Sequence, residues 1–151
     1  MMKNEVTIIM AEDDEGHAAL IRKNLMRAGI TNPILHFKDG QETLDFLLGK
    51  GSGPHREVGS PYLLLLDIRM PKVDGVEVLR QVKQDPKLHN MPVIMITTTD
   101  DPREVVKCHE LGCNSYITKP VDSAKFVEAI RNLGLFLMVV EVPDTNGKKI
   151  S

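Results

Sequence analysis

Tyr62-Leu-Leu-Leu-Leu-Asp67 is the stretch that decides how this chain folds. A short apolar run with neither helical spacing nor alternation reads as a strand buried on both faces, the kind that parallel sheets contain. The run ends on an acid, with Met70-Pro71 close behind. A charge at the tip of a buried strand is costly unless something pairs with it, so Asp67 is a candidate functional residue.

Comparable runs lie on either side: Val6 to Met10, Ile34 to Phe37, Val93 to Ile96, and Tyr116 to Ile117. They also read as strands buried on both faces. Helical spacing fills the gaps, with Ala18, Ile21, Leu25 and Ala28 in one segment and Val76, Leu79 and Val82 in another. Phe126, Ile130, Leu133 and Leu137 mark the last helix. Asp39-Gly-Gln-Glu42 and Asp101-Pro-Arg-Glu104 read as helix starts, with an acid at the N-cap, Glu at the third helical position and Pro102 at the first. Strand and helix therefore alternate through the chain. The fold class is α/β, a (βα)5 doubly wound five-stranded parallel sheet, for which 2-1-3-4-5 is a common strand order. In that order ligands bind where the carboxyl ends of strands one and three diverge.

The chain has 151 residues, 42% hydrophobic and 26% charged, which fits one globular domain large enough to bury a core without disulfides or metals. Its net charge of -2 gives no electrostatic basis for binding nucleic acid or an anionic membrane surface. The apolar stretches are too short for a signal peptide or a membrane span, so a cytoplasmic protein is expected. Cys108 and Cys113 fit that compartment as reduced thiols, and His109 between them lacks the second ligand pair of a zinc site. Gly49 to Pro61 is rich in Gly and Pro and reads as a surface loop.

Under this topology, Glu12 and Asp13 after strand one meet Asp67 after strand three. Like charges at 4 Å repel by about 4 kcal/mol at an effective dielectric near 20, so a cation is required. A few oxygen ligands with room for water suit Mg²⁺. Strand four contributes Thr97 and strand five contributes Lys119-Pro120. Taken singly, Glu12 to Glu15 also fit a solvated helix start, Lys119 a surface lysine and Thr97 a strand end. Placed together, they form a constellation for phosphoryl transfer in which Asp67 attacks, a hydroxyl donates, and metal and lysine neutralise charge.

Glu12-Asp13, Leu64-Leu-Leu-Asp-Ile-Arg-Met-Pro-Lys-Val-Asp-Gly75, Val93-Ile-Met-Ile-Thr97 and Tyr116-Ile-Thr-Lys-Pro120 resemble the receiver domain of two-component response regulators, the CheY-like family. The resemblance runs from about Val6 to Leu137. It implies that Asp67 is the phosphoacceptor and that Glu12, Asp13, Asp67 and the Arg69 carbonyl hold Mg²⁺. It also implies that Thr97 is the switch hydroxyl, Tyr116 the aromatic that follows it and Lys119 the phosphate-binding lysine, with a cis peptide at Lys119-Pro120. A histidine kinase is the implied phosphoryl donor, and the chain modifies itself rather than turning over a substrate as an ordinary enzyme does. Phosphorylation would alter the helix four, strand five and helix five surface seen by a downstream protein.

Several features depart from the plainest receiver. Thr98 stands where the family usually has Ala, Ser or Gly and is expected to narrow phosphate access, as is Arg69. The 49–61 loop resembles an insertion in small receivers that serve phytochromes and hybrid kinases, although a length-tolerant surface loop explains it equally well. Residues 133–143 are largely apolar and, with the resemblance to phytochrome-type receivers, point to a homodimer. The expected organisation is one receiver domain over 1–143 and a polar tail over 144–151, with no room for an output domain. Two competing classes are a phosphate-independent receiver-like scaffold, which needs none of the site residues, and a flavodoxin-like binder. The latter needs a phosphate-cradling loop where Ala11-Glu-Asp-Asp-Glu15 stands.

Overall fold

The computed structural model describes residues 5–119 and 122–132. Five strands, β1 (Thr7–Ala11), β2 (Ile34–Phe37), β3 (Tyr62–Leu66), β4 (Val93–Thr97) and β5 (Ser115–Thr118), alternate with five helices. The helices are α1 (Glu15–Arg27), α2 (Gly40–Leu48), α3 (Gly75–Gln84), α4 (Pro102–Leu111) and α5 (Ser123–Asn132). All pairings are parallel and the sheet order is β2-β1-β3-β4-β5, as expected.

The sheet has a core on each face because side chains alternate along each strand. Ile9, Leu64, Leu66, Val93 and Met95 pack with α2, α3 and Cys108 of α4. Ile8, Met10, Leu63, Leu65 and Ile94 pack with α1 and with Phe126 of α5. Leu63 to Leu66 are each no more than 1% exposed. At roughly 1.5 to 3 kcal/mol per buried leucine, this run contributes an amount comparable with the whole net stability of a domain, about 5 to 15 kcal/mol.

Burial on both faces holds for β1, β3 and β4 and fails at the edges. β2 is half-buried, with Leu35 38% exposed, and in β5 only Ile117 is fully buried. An edge strand has one neighbour instead of two, and β2 is further narrowed by its four-residue length. The ladders also run one residue past the apolar limits, into Ala11, Thr97 and Thr118, because backbone pairing does not require an apolar side chain.

Asp side chains start four helices, each worth about 1 kcal/mol. Asp39 accepts from the Glu42 N–H at 2.8 Å and Asp101 from the Arg103 N–H at 2.9 Å, as the sequence predicts. Asp14 and Asp74 do the same for α1 and α3. The reciprocal halves of the two predicted capping boxes are not made at the cap residues. Glu42 reaches Lys38 N–H at 3.5 Å, and the Asp101 N–H donates to Thr99 Oγ1 at 3.3 Å.

Two glycines let the β3–α3 loop fold tightly back. A Cβ at Gly40 would stand 1.8 Å from the Val73 carbonyl oxygen, and one at Gly75 would stand 2.1 Å from the Asp67 carbonyl oxygen. The 49–61 loop is also tied down. Arg56 donates its N–H to Phe46 O at 2.9 Å and its Nε–H to Leu47 O at 3.0 Å, which satisfies carbonyls at the end of α2. Among the described residues no helix is long and apolar enough to cross a membrane. The apolar 133–143 segment, the 144–151 tail and the Lys119-Pro120 peptide bond lie outside the described residues.

Candidate functional site

Backbone pairing alone brings the site residues together. Ala11 pairs with Leu66, and the Asp67 N–H donates to Ala11 O at 3.0 Å. Glu12, Asp13 and Asp67 therefore leave β1 and β3 side by side. On the other flank the Lys119 N–H donates to Thr97 O at 2.7 Å, which fixes the end of β5 against the end of β4.

One carboxylate oxygen from each of Glu12, Asp13 and Asp67 lies within 4.8 Å of the other two. Glu12 and Asp67 are buried, while Asp13 is exposed. Lys119, whose side chain is 8% exposed, places Nζ 2.6 Å from Glu12 Oε1 and 3.3 Å from Asp67 Oδ2. Burial pushes the Glu12 carboxyl above the usual range; the Lys119 hydrogen bond opposes this and the Asp67 charge adds to it. Three carboxylates face one ammonium, so the cluster carries excess negative charge. Its donors are all oxygen, which favours Mg²⁺ or Mn²⁺ over zinc.

Thr97 is fully buried, and its Oγ1 finds no hydrogen-bond partner among the described residues. A buried hydroxyl without a partner costs about 1 to 3 kcal/mol, and this one stands at the carboxyl edge of β4 on the side of the acidic cluster. Thr98 is exposed beside it, and so is Arg69. Arg69 also lines a cleft of about 420 Å³ with Asp13, Met70, Asp74 and Glu104. Tyr116 is half-buried and donates its O–H to Thr99 O at 2.9 Å. Burial pushes its phenol up to about 12.

Every described residue that the sequence placed at the site is at the sheet's carboxyl edge or beside it. The sequence reading missed His17. Its Nδ1 lies 2.9 Å from Lys119 Nζ, across a separation of 102 residues. The available signal was Asp14: once that residue is recognised as an N-cap, His17 falls at the third helical position beside the tip of β1. His109 and the cysteines stay apart from this cluster. Cys108 and Cys113 are free, as expected, and both are buried.

Residues 8–131 match the response regulator receiver domain. The probable methanogenesis regulatory protein FilR2 of Methanothrix harundinacea is 37% identical over 132 residues, 85% of this chain and 83% of that protein. Response regulator Rcp1 of Synechocystis sp. is 33% identical, covering 85% of this chain and 88% of its own length. The Mn²⁺-bound form of Rcp1 superposes with a TM-score of 0.72 over 92% of this chain and 99% of that one, at 31% identity. The bacteriophytochrome response regulator RtBRR gives a TM-score of 0.79 at 38% identity, covering 95% of this chain and 83% of its own. With the sheet order and the acidic edge, these likenesses establish that the chain belongs to the response regulator receiver domain family.

Proposed function

We propose that this chain is a single-domain response regulator that accepts a phosphoryl group on Asp67 from a histidine kinase in a Mg²⁺-dependent reaction. The observation that supports this most is the convergence of Glu12, Asp13 and Asp67 within 4.8 Å, with Lys119 against Asp67. Glu12, Asp13, Asp67 and the Arg69 carbonyl would hold Mg²⁺, which when bound supplies positive charge to the non-bridging phosphoryl oxygens. An Asp67 carboxylate oxygen attacks phosphorus as the P–N bond to the kinase imidazole breaks, and the imidazole leaves with a proton taken from solvent. Lys119 donates an N–H to one phosphoryl oxygen and the Thr97 hydroxyl donates to another. Exposed Thr98 and Arg69 limit the approach of attacking water.

The path to the output surface is short. Tyr116 holds the Thr99 carbonyl, Thr99 Oγ1 accepts the Asp101 N–H, and Asp101 caps α4. Movement of Thr97 toward the phosphoryl group displaces Thr99 and loosens the Tyr116 bond. α4 buries only Cys108 fully, whereas α3 buries Gly75, Val78, Leu79 and Val82. The weakly anchored helix is the one that can shift, so the α4, β5 and α5 face carries the signal to a partner and forms the homodimer surface. The likeness to a bacteriophytochrome response regulator supports a kinase of phytochrome or hybrid type. We read residues 1–143 as the receiver and 144–151 as a tail of a cytoplasmic protein.

Intact mass after incubation with phosphoramidate and Mg²⁺ tests the proposal. The expected result is a gain of one phosphoryl group that is lost in Asp67→Asn. No gain in the parent chain rejects the switch in favour of a phosphate-independent scaffold.

A further inference from the structure

We infer that His17 is a positioning residue for the phosphoryl-accepting reaction, holding the Lys119 ammonium off the Asp67 carboxylate through its Nδ1; the inference rests on the reading of Asp67 given above. An ammonium has three N–H donors. In this structure Lys119 Nζ meets three acceptors: Glu12 Oε1 at 2.6 Å, His17 Nδ1 at 2.9 Å and Asp67 Oδ2 at 3.3 Å. Donors and acceptors match in number, and the longest contact is the one to the phosphoacceptor.

His17 is well placed for this. Its backbone N–H donates to Asp14 Oδ1 at 2.9 Å, so the helix cap fixes where its imidazole starts. Lys119 can only donate, so His17 Nδ1 presents its lone pair to it. The alternative partner, Glu12 Oε2, lies 3.7 Å from Nδ1, too far for a hydrogen bond.

Without this acceptor, the third N–H must go elsewhere. The Lys119 side chain is 8% exposed, which leaves little room for water, and the remaining acceptors are the two carboxylates. A Lys119 drawn closer to Asp67 ties up the oxygen density that must attack phosphorus. His17 is the one acceptor of the three that is not a carboxylate, so its bond is the one most easily exchanged for a phosphoryl oxygen.

The experiment compares the parent chain with His17→Asn, which offers an amide oxygen near the Nδ1 position, and His17→Leu, which keeps bulk without an acceptor. Intact mass is followed over time with phosphoramidate and Mg²⁺. The expected result is a rate lowered about fivefold or more in His17→Leu and within about twofold of the parent in His17→Asn. Equal urea midpoints for the three proteins exclude a folding defect as the cause. A second readout needs no phosphorylation: the ¹H–¹⁵N signal of the Lys119 ammonium is protected from exchange in the parent and in His17→Asn, and broadened in His17→Leu. Equal rates in all three proteins, or His17→Asn as slow as His17→Leu, overturn the inference. A parent chain that gains no phosphoryl group rejects the proposed function instead. The ammonium signal then decides the His17 contact by itself, and an unchanged signal in His17→Leu rejects it.

Discussion

Thr97→Val is predicted to stabilise the unmodified protein while silencing the proposed switch. Thr97 is fully buried at the end of the interior strand β4, with Oγ1 unpartnered by any protein group among the described residues. Protein mutational data put the cost of burying such a hydroxyl without a bond at about 1 to 3 kcal/mol. Valine replaces the hydroxyl with a methyl of similar size, keeps the β-branch and suits a strand. The expected gain is therefore about 1 to 3 kcal/mol, or roughly 3 to 10 °C in Tm for a domain of this length. Urea and thermal unfolding of the unmodified, Mg²⁺-free protein measure it. Thr97→Ser is the control, since it keeps the hydroxyl, loses a buried methyl and is expected to be less stable than the parent. In the same Val variant, the mass gain with phosphoramidate persists, but beryllofluoride no longer shifts the NMR signals of Tyr116 and α4. If Thr97→Val loses 1 kcal/mol or more, the hydroxyl is bonded in the native state and the reasoning fails.

Gly75→Ala places a Cβ about 2.1 Å from the Asp67 carbonyl oxygen, a backbone atom that cannot yield without moving the proposed phosphoacceptor. A loss of about 2 kcal/mol or more in urea unfolding is expected, with slowed phosphorylation; parent-like stability would show that the loop relaxes freely. Burial pushes the Cys108 thiol up to about 11 and the Cys113 thiol up to about 12. Iodoacetamide at pH 8 is thus expected to label both thiols in urea and neither in the folded protein. Because the folded thiols keep their protons to higher pH than an ordinary cysteine, whose thiol titrates near 9.0, their contribution to stability is full below that pH and is lost as pH rises through the folded values. A Cys108→Ala/Cys113→Ala variant flattens that alkaline limb, and an unaltered limb contradicts the assignment.

Local signals were legible in the sequence because they depend on neighbours along the chain. Leu63 to Leu66 announced a buried strand without knowledge of its partners, and Asp39 and Asp101 announced helix starts through contacts two or three residues away. The candidate site was legible for a different reason: the strand order brings Glu12, Asp13, Thr97 and Lys119 to one edge, so topology substitutes for distance. His17 was not legible, since its bond to Lys119 spans 102 residues and a single histidine in a helix has no pattern of its own. The edge strands were misread because composition reports hydrophobicity but not how many neighbours a strand has. Nor could Gly and Pro in the 49–61 loop reveal that Arg56 caps α2.

Under the proposed function, these parts set the size of the switch. In this structure the Thr97 hydroxyl has no bond to a described protein group, and Tyr116 is bonded to Thr99 O. Under the proposed function, phosphorylation at Asp67 would offer Thr97 a charged acceptor, and hydrogen bonds to charged groups contribute about 1.5 to 3 kcal/mol net. The opposing loss is the neutral Tyr116 bond, about 1 kcal/mol, together with whatever packing α4 gives up. That packing is slight, because Cys108 is the only residue α4 buries fully. The difference of roughly 0.5 to 2 kcal/mol corresponds to a shift of about 2 to 30-fold between two arrangements of the α4 face. A balance of that size is reversible by loss of one phosphoryl group. On that reading, replacing the buried Thr97 hydroxyl would stabilise the resting state and remove the term that drives the change.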